Sequence, residues 1–310
     1  MSDKTTLGTR MKENYENRTK QFLTRRCPTI IRIDGKAFHT YTKGLKKPFD
    51  EGLIEDMQET TKFLCEQIQG AKLGYTQSDE ISILLTDYDN LQSQAWFDYN
   101  VQKITSITAS LATAKFNELR LNRLHKKLAF FDARVFQVPE KEEVVNYFIW
   151  RQQDAERNSI SMLAQSLYSH KQLFKKNTSN MQEMCFQKGY NWNDLPYEQK
   201  RGSFIVKNLY INDKLMHIYE KESQWCSDKD REPTLGDLWY QKDLESHNYP
   251  NKKGRLLKWT QVNNRFVDED GKFIDSEDWC EAPLEKIRTK WESIKTPIFS
   301  QNREMILKYI

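Results

Sequence analysis

The sequence predicts an α+β domain of the split βαβ type, a four-stranded antiparallel sheet with two helices on one face, followed by a helical and irregular carboxy-terminal extension. Three observations carry that prediction. Hydrophobic periodicity over residues 28–138 switches between the strand and helix periods in the order βαββαβ. Two strand-like runs end on acidic turn sequences, Asp34-Gly35 and Ser78-Asp79-Glu80. The 310 residues include 16 Phe, 14 Tyr and 8 Trp, too many large apolar side chains for a disordered chain.

Each element has its own warrant. Residues 1–26 are polar and helix-compatible with a basic end at Lys20, Arg25 and Arg26, and read as a leading helical arm. Pro28-Thr-Ile-Ile-Arg-Ile-Asp34-Gly35 is β-branched and bounded by Pro and Gly, which marks a buried strand with a carboxylate at its tip. Leu53, Met57, Leu64 and Ile68 recur on one helical face over residues 50–69. Residues 71–86 hold two short strand-like runs around Gln77-Ser78-Asp79-Glu80, a hairpin with acids at its bend. Phe97, Val101, Ile104, Leu111 and Ala114 give a long helix over 92–120, and Lys127 to Val138 returns to strand chemistry. A further helix over 140–169 places Val144, Phe148, Ile160, Leu163 and Leu167 on an apolar stripe, with Arg151, Asp154 and Asn158 at helical spacing elsewhere. Ser203-Phe-Ile-Val-Lys is another strand.

The βαββαβ order is ferredoxin-like and sets the first strand beside the hairpin at the centre of the sheet. From about Asn212 charged runs mix with Trp225, Trp239, Tyr240, Trp259, Trp279 and Trp291, the composition of an ordered appendage without repeats. The expected organisation is a helical arm over 1–27, a catalytic domain over 28–210, and an appendage over 211–310 that binds RNA or contacts a second subunit.

Composition narrows the function classes. A net charge of +4 is too mild to announce a nucleic-acid binder by itself. The five Cys (27, 65, 185, 226, 280) are an odd number without a CxxC pair, and no His pairs with them at ligand spacing, so they read as buried thiols and not as a disulfide framework or zinc site. No window reaches the ~18 apolar residues of a membrane span and the amino terminus is polar, so a reducing, cytoplasmic setting is expected.

Asp34 and Asp79 are far apart in sequence, yet the topology brings a strand tip and the neighbouring bend together. Two facing carboxylates repel unless they share a proton or bind a cation. Asp oxygens suit Mg²⁺, whose remaining positions go to water and substrate phosphates, the arrangement of two-metal nucleotidyl transfer. Gly35-Lys36-Ala37-Phe38-His39 follows, where a Gly lets backbone N–H groups approach a phosphate and Lys36, His39, Lys43, Lys46 and Lys47 add positive charge. The same residues also suit a strand end, a capped turn and a solvated basic loop.

Longer motifs decide between these. Arg32-Ile-Asp34-Gly35-Lys-Ala-Phe38-His39, Lys47-Pro48-Phe-Asp50, Tyr75-Thr-Gln-Ser78-Asp79-Glu80, Trp150-Arg151-Gln152-Gln-Asp154, and Asn193-Asp-Leu195-Pro196 before Lys200-Arg-Gly202 resemble, in order and spacing, the motifs of the tRNA-histidine guanylyltransferase family. The resemblance covers roughly residues 7–210. It implies a polymerase-like palm domain that adds nucleotides in the 3′–5′ direction to the 5′ end of tRNA, after ATP or GTP activates the 5′-monophosphate and the 3′-hydroxyl of an incoming GTP attacks. By the family pattern Asp34, Asp79 and the Gly35 backbone bind two Mg²⁺. Asp34 through His39, with Ser78 and Asp79, hold the triphosphate. Lys47 and Asp50 flank the activating nucleotide, and Arg151, Asp154 and Asn158 form the helix beside the site. The pattern also implies a homo-oligomer built as a dimer of dimers.

This chain departs from the pattern at Phe49, where the family has Asn, and at Glu156 and Ser159, where eukaryotic members have His and Asn. It thereby resembles the bacterial and archaeal relatives that repair 5′-truncated tRNAs on a template strand. Two other classes fit the same palm: a nucleotide cyclase or cyclic-dinucleotide synthase, and a non-catalytic tRNA-binding module.

Overall fold

A computed structural model describes residues 6–123, 127–211, 257–260, 265–268 and 287–310. The leading arm is helical only at its start. Helix α1 (Leu7–Met11) gives way to a π turn at Lys12–Glu16 and a 3₁₀ turn at Asn17–Thr19, and the chain is non-helical through Arg25 and Arg26. The expected helix to residue 26 fails because Lys-Glu-Asn-Tyr-Glu-Asn-Arg-Thr is polar all round and buries none of its residues. Arg25 and Arg26 instead grip Asp87, through a side-chain bond at 3.3 Å and a backbone N–H bond at 2.8 Å.

Strand β1 (Thr29–Gly35) enters the centre of the sheet, the short helix α2 (Phe38–Tyr41) turns the chain, and α3 (Glu51–Gln67) crosses back. Asp50 caps α3 by accepting from the Leu53 N–H at 2.8 Å. The hairpin β2 (Ala71–Gln77) and β3 (Glu80–Leu85) follows with a two-residue bend, in which Ser78 takes φ 51°. Helix α4 (Val101–Asn122) begins later than residue 92 because Phe97 and Asp98, at φ 50° and 52°, break the helical path and Asn100 caps the new start. Strand β4 (Phe131–Gln137) also begins later than expected, since Ala129 is bonded through both its N–H and its carbonyl to the Asn117 side chain of α4.

Among the described residues the sheet has six strands in the order β4-β1-β3-β2-β5-β8, with β5 at Ser203–Ile211 and β8 at Ile287–Ile294. Its first four strands keep the expected order. Both faces are covered, which explains why every residue of β3 is buried. Ile31, Ile33, Ile81 and Ile83 pack toward Met57 and Leu64 of α3 and Phe116 of α4. Ile30, Leu84, Tyr75 and Phe204 pack on the other side against Val144 and Phe148 of the long helix α5 (Lys141–Leu167). Gly74 permits the close approach of α3, for a Cβ there would lie 2.8 Å from Thr61 and 2.9 Å from Cys65.

Beyond α5, the short helix α6 (His170–Leu173), α7 (Thr178–Gln187) and α8 (Tyr197–Arg201) pack around Leu173, Cys185 and Trp192. The compact unit comprises residues up to Lys207 and resumes at Trp291, so the last twenty residues, with a short helix α9 (Glu304–Leu307), pack with the palm rather than with the appendage. Phe299 and Ile306 are fully buried in the α5 face. Residues 208–290 form a second unit, in which β6 (Leu257–Thr260) and β7 (Arg265–Asp268) make an antiparallel pair. The aromatic positions Trp225, Trp239, Tyr240 and Trp279 and the cysteines Cys226 and Cys280 lie outside the described residues. Among the described residues no helix is long and apolar enough to cross a membrane.

Candidate active site

β1 ends on Asp34 and Gly35, and the β2–β3 bend sets Ser78 and Asp79 beside them. The Gly35 N–H donates to the Asp79 carbonyl at 3.1 Å, which ties strand tip to bend. Asp34 is in register with Glu80 on β3 and with Asp132 on β4. Burial first, then the charges of Asp34 and Glu80, push the Asp79 carboxyl up to about 6, against the pull of its own backbone and of Ser78, whose hydroxyl donates to it at 3.1 Å. The two predicted carboxylates therefore feel each other.

Among the described residues no cluster of three or more His, Cys, Asp or Glu gathers at ligand spacing. The donors on offer are two carboxylates and backbone carbonyls, an oxygen set that suits a hard cation keeping most of its shell for water and phosphate. A cation there competes with the Asp79 proton. Mg²⁺ affinity measured by titration calorimetry is expected to be about fourfold weaker at about pH 5.5 than at about pH 7.5, the ratio of ionised Asp79 for a carboxyl at about 6. The metal-free fold should behave oppositely. Its carboxyl is raised above the ordinary value of 3.8, so protonation contributes stability that is complete below about pH 4 and lost as pH rises through about 6. Equal affinities at both pH values would remove Asp79 from the cation site.

The loop after β1 differs from its expected use. Gly35 and Lys36 spend their N–H groups on Asp79 and on the Phe130 carbonyl at 2.8 Å. Gly35 is required by packing: a Cβ would fall 2.2 Å from the buried Phe38 ring. The anion-ready groups come next. Ala37 takes the left-handed conformation at φ 54°, ψ 39° and starts α2, and the N–H groups of Ala37, Phe38 and His39 have no acceptor among the described residues. Lys36 and His39 are exposed beside them.

Sequence reasoning gave no role to a buried ionic clamp behind the carboxylates. Glu80 accepts from Arg151 Nε at 2.6 Å and Nη2 at 2.8 Å, and from Arg32 Nη2 at 2.6 Å. Burial holds the Glu80 carboxyl above its ordinary range, although Arg151 and Arg32 pull it down. Arg151 also bonds Asp154 at 2.8 Å. The Asp154 carboxyl is partly buried, which raises it, but Arg157 and Arg151 outweigh that and leave it lowered. The available signal was Arg32, a charge inside an otherwise apolar strand that needs a buried partner on its neighbour.

Of the remaining predicted residues, Asp50, Ser78 and Asn158 line one cleft together with Phe49, Met162 and Gln199. Lys47 is exposed and is not among the residues lining it. The three departures from the expected motifs are accommodated locally. Phe49 is a buried wall of the cleft, Glu156 accepts from Arg201 Nε at 2.8 Å, and the Ser159 hydroxyl accepts from Trp192 Nε1 at 2.9 Å.

Comparison with known proteins matches this geometry to one group. The tRNAHis guanylyltransferase (Thg1) family model matches residues 8–139. The tRNA(His) guanylyltransferase of Candida glabrata is 30% identical over 239 residues, covering 67% of this chain and 98% of that protein. A bacterial tRNA(His) guanylyltransferase (Thg1)-like protein solved in complex with ATP is 40% identical, covers 98% of this chain and 99% of its own, and superposes with a TM-score of 0.70. A bacterial Thg1-like protein in complex with GTP is 38% identical, with 97% of each chain covered and a TM-score of 0.66. With a palm-like sheet shared over nearly its whole length, the chain belongs to the tRNAHis guanylyltransferase family and is a nucleotidyltransferase.

Proposed function

We propose that this enzyme adds nucleotides to the 5′ end of tRNA in the 3′–5′ direction with Mg²⁺, and that its task is template-directed repair of 5′-truncated tRNA. The observation that carries the reading is the meeting of Asp34 with Asp79 at one sheet end, beside three consecutive N–H groups that have no acceptor among the described residues. Asp34 and Asp79 would hold Mg²⁺ with the Gly35 carbonyl, and the bound ion would neutralise phosphate charge and favour ionisation of the attacking hydroxyl. The N–H groups of Ala37, Phe38 and His39 receive triphosphate oxygens, with Lys36 and His39 adding charge. Ser78, Asp50 and Asn158 border the cleft for the activating nucleotide, whose adenosine or guanosine finds an apolar wall in Phe49 and Met162. In the activation step the RNA 5′-phosphate displaces pyrophosphate from the triphosphate. In the addition step the 3′-hydroxyl of GTP attacks that phosphate, loses its proton, and expels the nucleoside monophosphate.

Repair is favoured over fixed guanylylation by the Glu156–Arg201 pair. The position where eukaryotic members carry His is committed here to an ion pair with the segment before β5. Purified enzyme with Mg²⁺, ATP, all four nucleoside triphosphates and a tRNA lacking its first nucleotide should lengthen the RNA from the 5′ side only by nucleotides complementary to the opposing strand. Addition of G regardless of the opposing base would replace repair by histidine-tRNA guanylylation. A cyclic product from GTP alone, or RNA binding without triphosphate affinity, would overturn the transfer reading itself.

A further inference from the structure

Trp150 stands out among the exposed side chains. It is 48% exposed, yet it is held on several sides. The Arg151 guanidinium lies 4.2 Å from its ring centroid, Arg32 lies 5.9 Å away, and Tyr147 meets it edge-on at 5.9 Å and 68°. Both arginines are fixed in turn by the buried Glu80, and the Tyr147 hydroxyl bonds Ser82 at 2.8 Å. A large ring pinned by cations and left half open to solvent has lost its rotamer freedom before any ligand arrives.

Its position gives it an occupant. Arg32 precedes Asp34 by two residues on β1, so both project from the same sheet face about 7 Å apart. Arg134 on β4 is in register with Arg32, and its Nη2 is 3.9 Å from Asp34 Oδ2. The open ring thus adjoins a cationic strip that ends at the candidate metal site. The triphosphate cradle at Ala37–His39 lies beyond Asp34 along the chain, whereas Trp150 adjoins Arg32, on the near side. Attacking and leaving groups of a phosphoryl transfer approach in line, so reactants enter from opposite sides of the reacting phosphate.

We infer that Trp150 is the stacking platform for the 5′-terminal nucleobase of the RNA, held in place by the Arg32–Glu80–Arg151 clamp; this rests on the RNA 5′ end being the substrate. Stacking on an aromatic ring tolerates any base, as a repair enzyme acting on different tRNAs needs.

The test is binding, separate from turnover. Full-length protein with Mg²⁺ is titrated, by fluorescence anisotropy at fixed salt, with a 5′-monophosphorylated hairpin RNA and with the same RNA carrying an abasic 5′-terminal nucleotide. Wild type is expected to bind the abasic RNA about tenfold more weakly. Trp150→Ala should bind the intact RNA about tenfold more weakly and no longer distinguish the two RNAs. Trp150→Phe should restore most of the discrimination, and ATP and GTP affinities should stay within about twofold in both variants. The platform is overturned if Trp150→Ala still discriminates, or if its loss falls on the triphosphates instead. Wild type that extends RNA but ignores the abasic change defeats the platform alone; wild type that binds no RNA defeats it together with the functional reading.

Discussion

Asp79→Asn is expected to reduce nucleotide addition at least about thousandfold while raising the thermal midpoint of the metal-free protein. The first effect follows from losing one of the two carboxylates proposed to hold a cation, which would supply several kcal/mol of charge stabilisation in the transition state. The second follows from the Asp79 carboxyl being held up at about 6 by burial and by the neighbouring Asp34 and Glu80 charges. Ionised at neutral pH, it opposes folding, and a neutral amide of the same shape removes that opposition. The opposed signs separate this outcome from damage to the fold. Thermal denaturation and single-turnover 5′-addition on one preparation check both, and an active Asp79→Asn enzyme sinks the carboxylate assignment. Asp34→Asn should match it in activity.

Glu80→Ala should act on stability as strongly as Asp79→Asn acts on turnover. Glu80 and Arg151 are 5% and 4% exposed, and their two-point contact at 2.6 and 2.8 Å is joined by Arg32. Removing Glu80 leaves the Arg151 guanidinium buried with Asp154 as its remaining carboxylate partner among the described residues, a loss of about 3–5 kcal/mol. Chemical denaturation should register it as a lower midpoint at unchanged slope. Replacing both Glu80 and Arg151 by Leu should recover part of the stability, because it no longer strands the buried Arg151 charge, while Arg32, 19% exposed, still loses its Glu80 partner. Activity should stay low in the double variant, since the clamp orients the groups around Asp34. A Glu80→Ala protein as stable as wild type would show that the clamp contributes nothing to the fold.

How much of this was legible beforehand depends on whether a residue's partner was local. The order of the first six elements and the meeting of Asp34 with Asp79 were legible, because strand and helix periods and the two-residue bend are short-range signals. Glu80 was read as part of the acidic bend. Only the register Arg32↔Ser82 and Asp34↔Glu80, a long-range fact, shows that it heads β3 and faces the two arginines. The family pattern sets Asp50 at the nucleotide site, while its cap of α3 at Leu53 has a local signal too, an Asp before a helical run. β8 eluded the sequence because Ile-Arg-Thr-Lys-Trp-Glu-Ser-Ile carries charges at a density that suggests a solvated stretch, whereas it is an added strand next to β5. The second helix layer, α5, is legible as a helix but not as the cover of the second sheet face. That cover is why Ile30 and Ile31, adjacent in sequence and pointing oppositely, are both buried.

The return of the chain to the palm after residue 290 bears on synthesis. Phe299 and Ile306 complete the core between the sheet and α5, so residues translated after the second unit finish a domain begun at residue 29. While the intervening segment is emerging from the ribosome, the flank of α5 that these side chains occupy stays uncovered. A nascent chain paused there presents apolar surface, and emergence of residues 291–310, not completion of the sixth element, sets when the first unit can close its core.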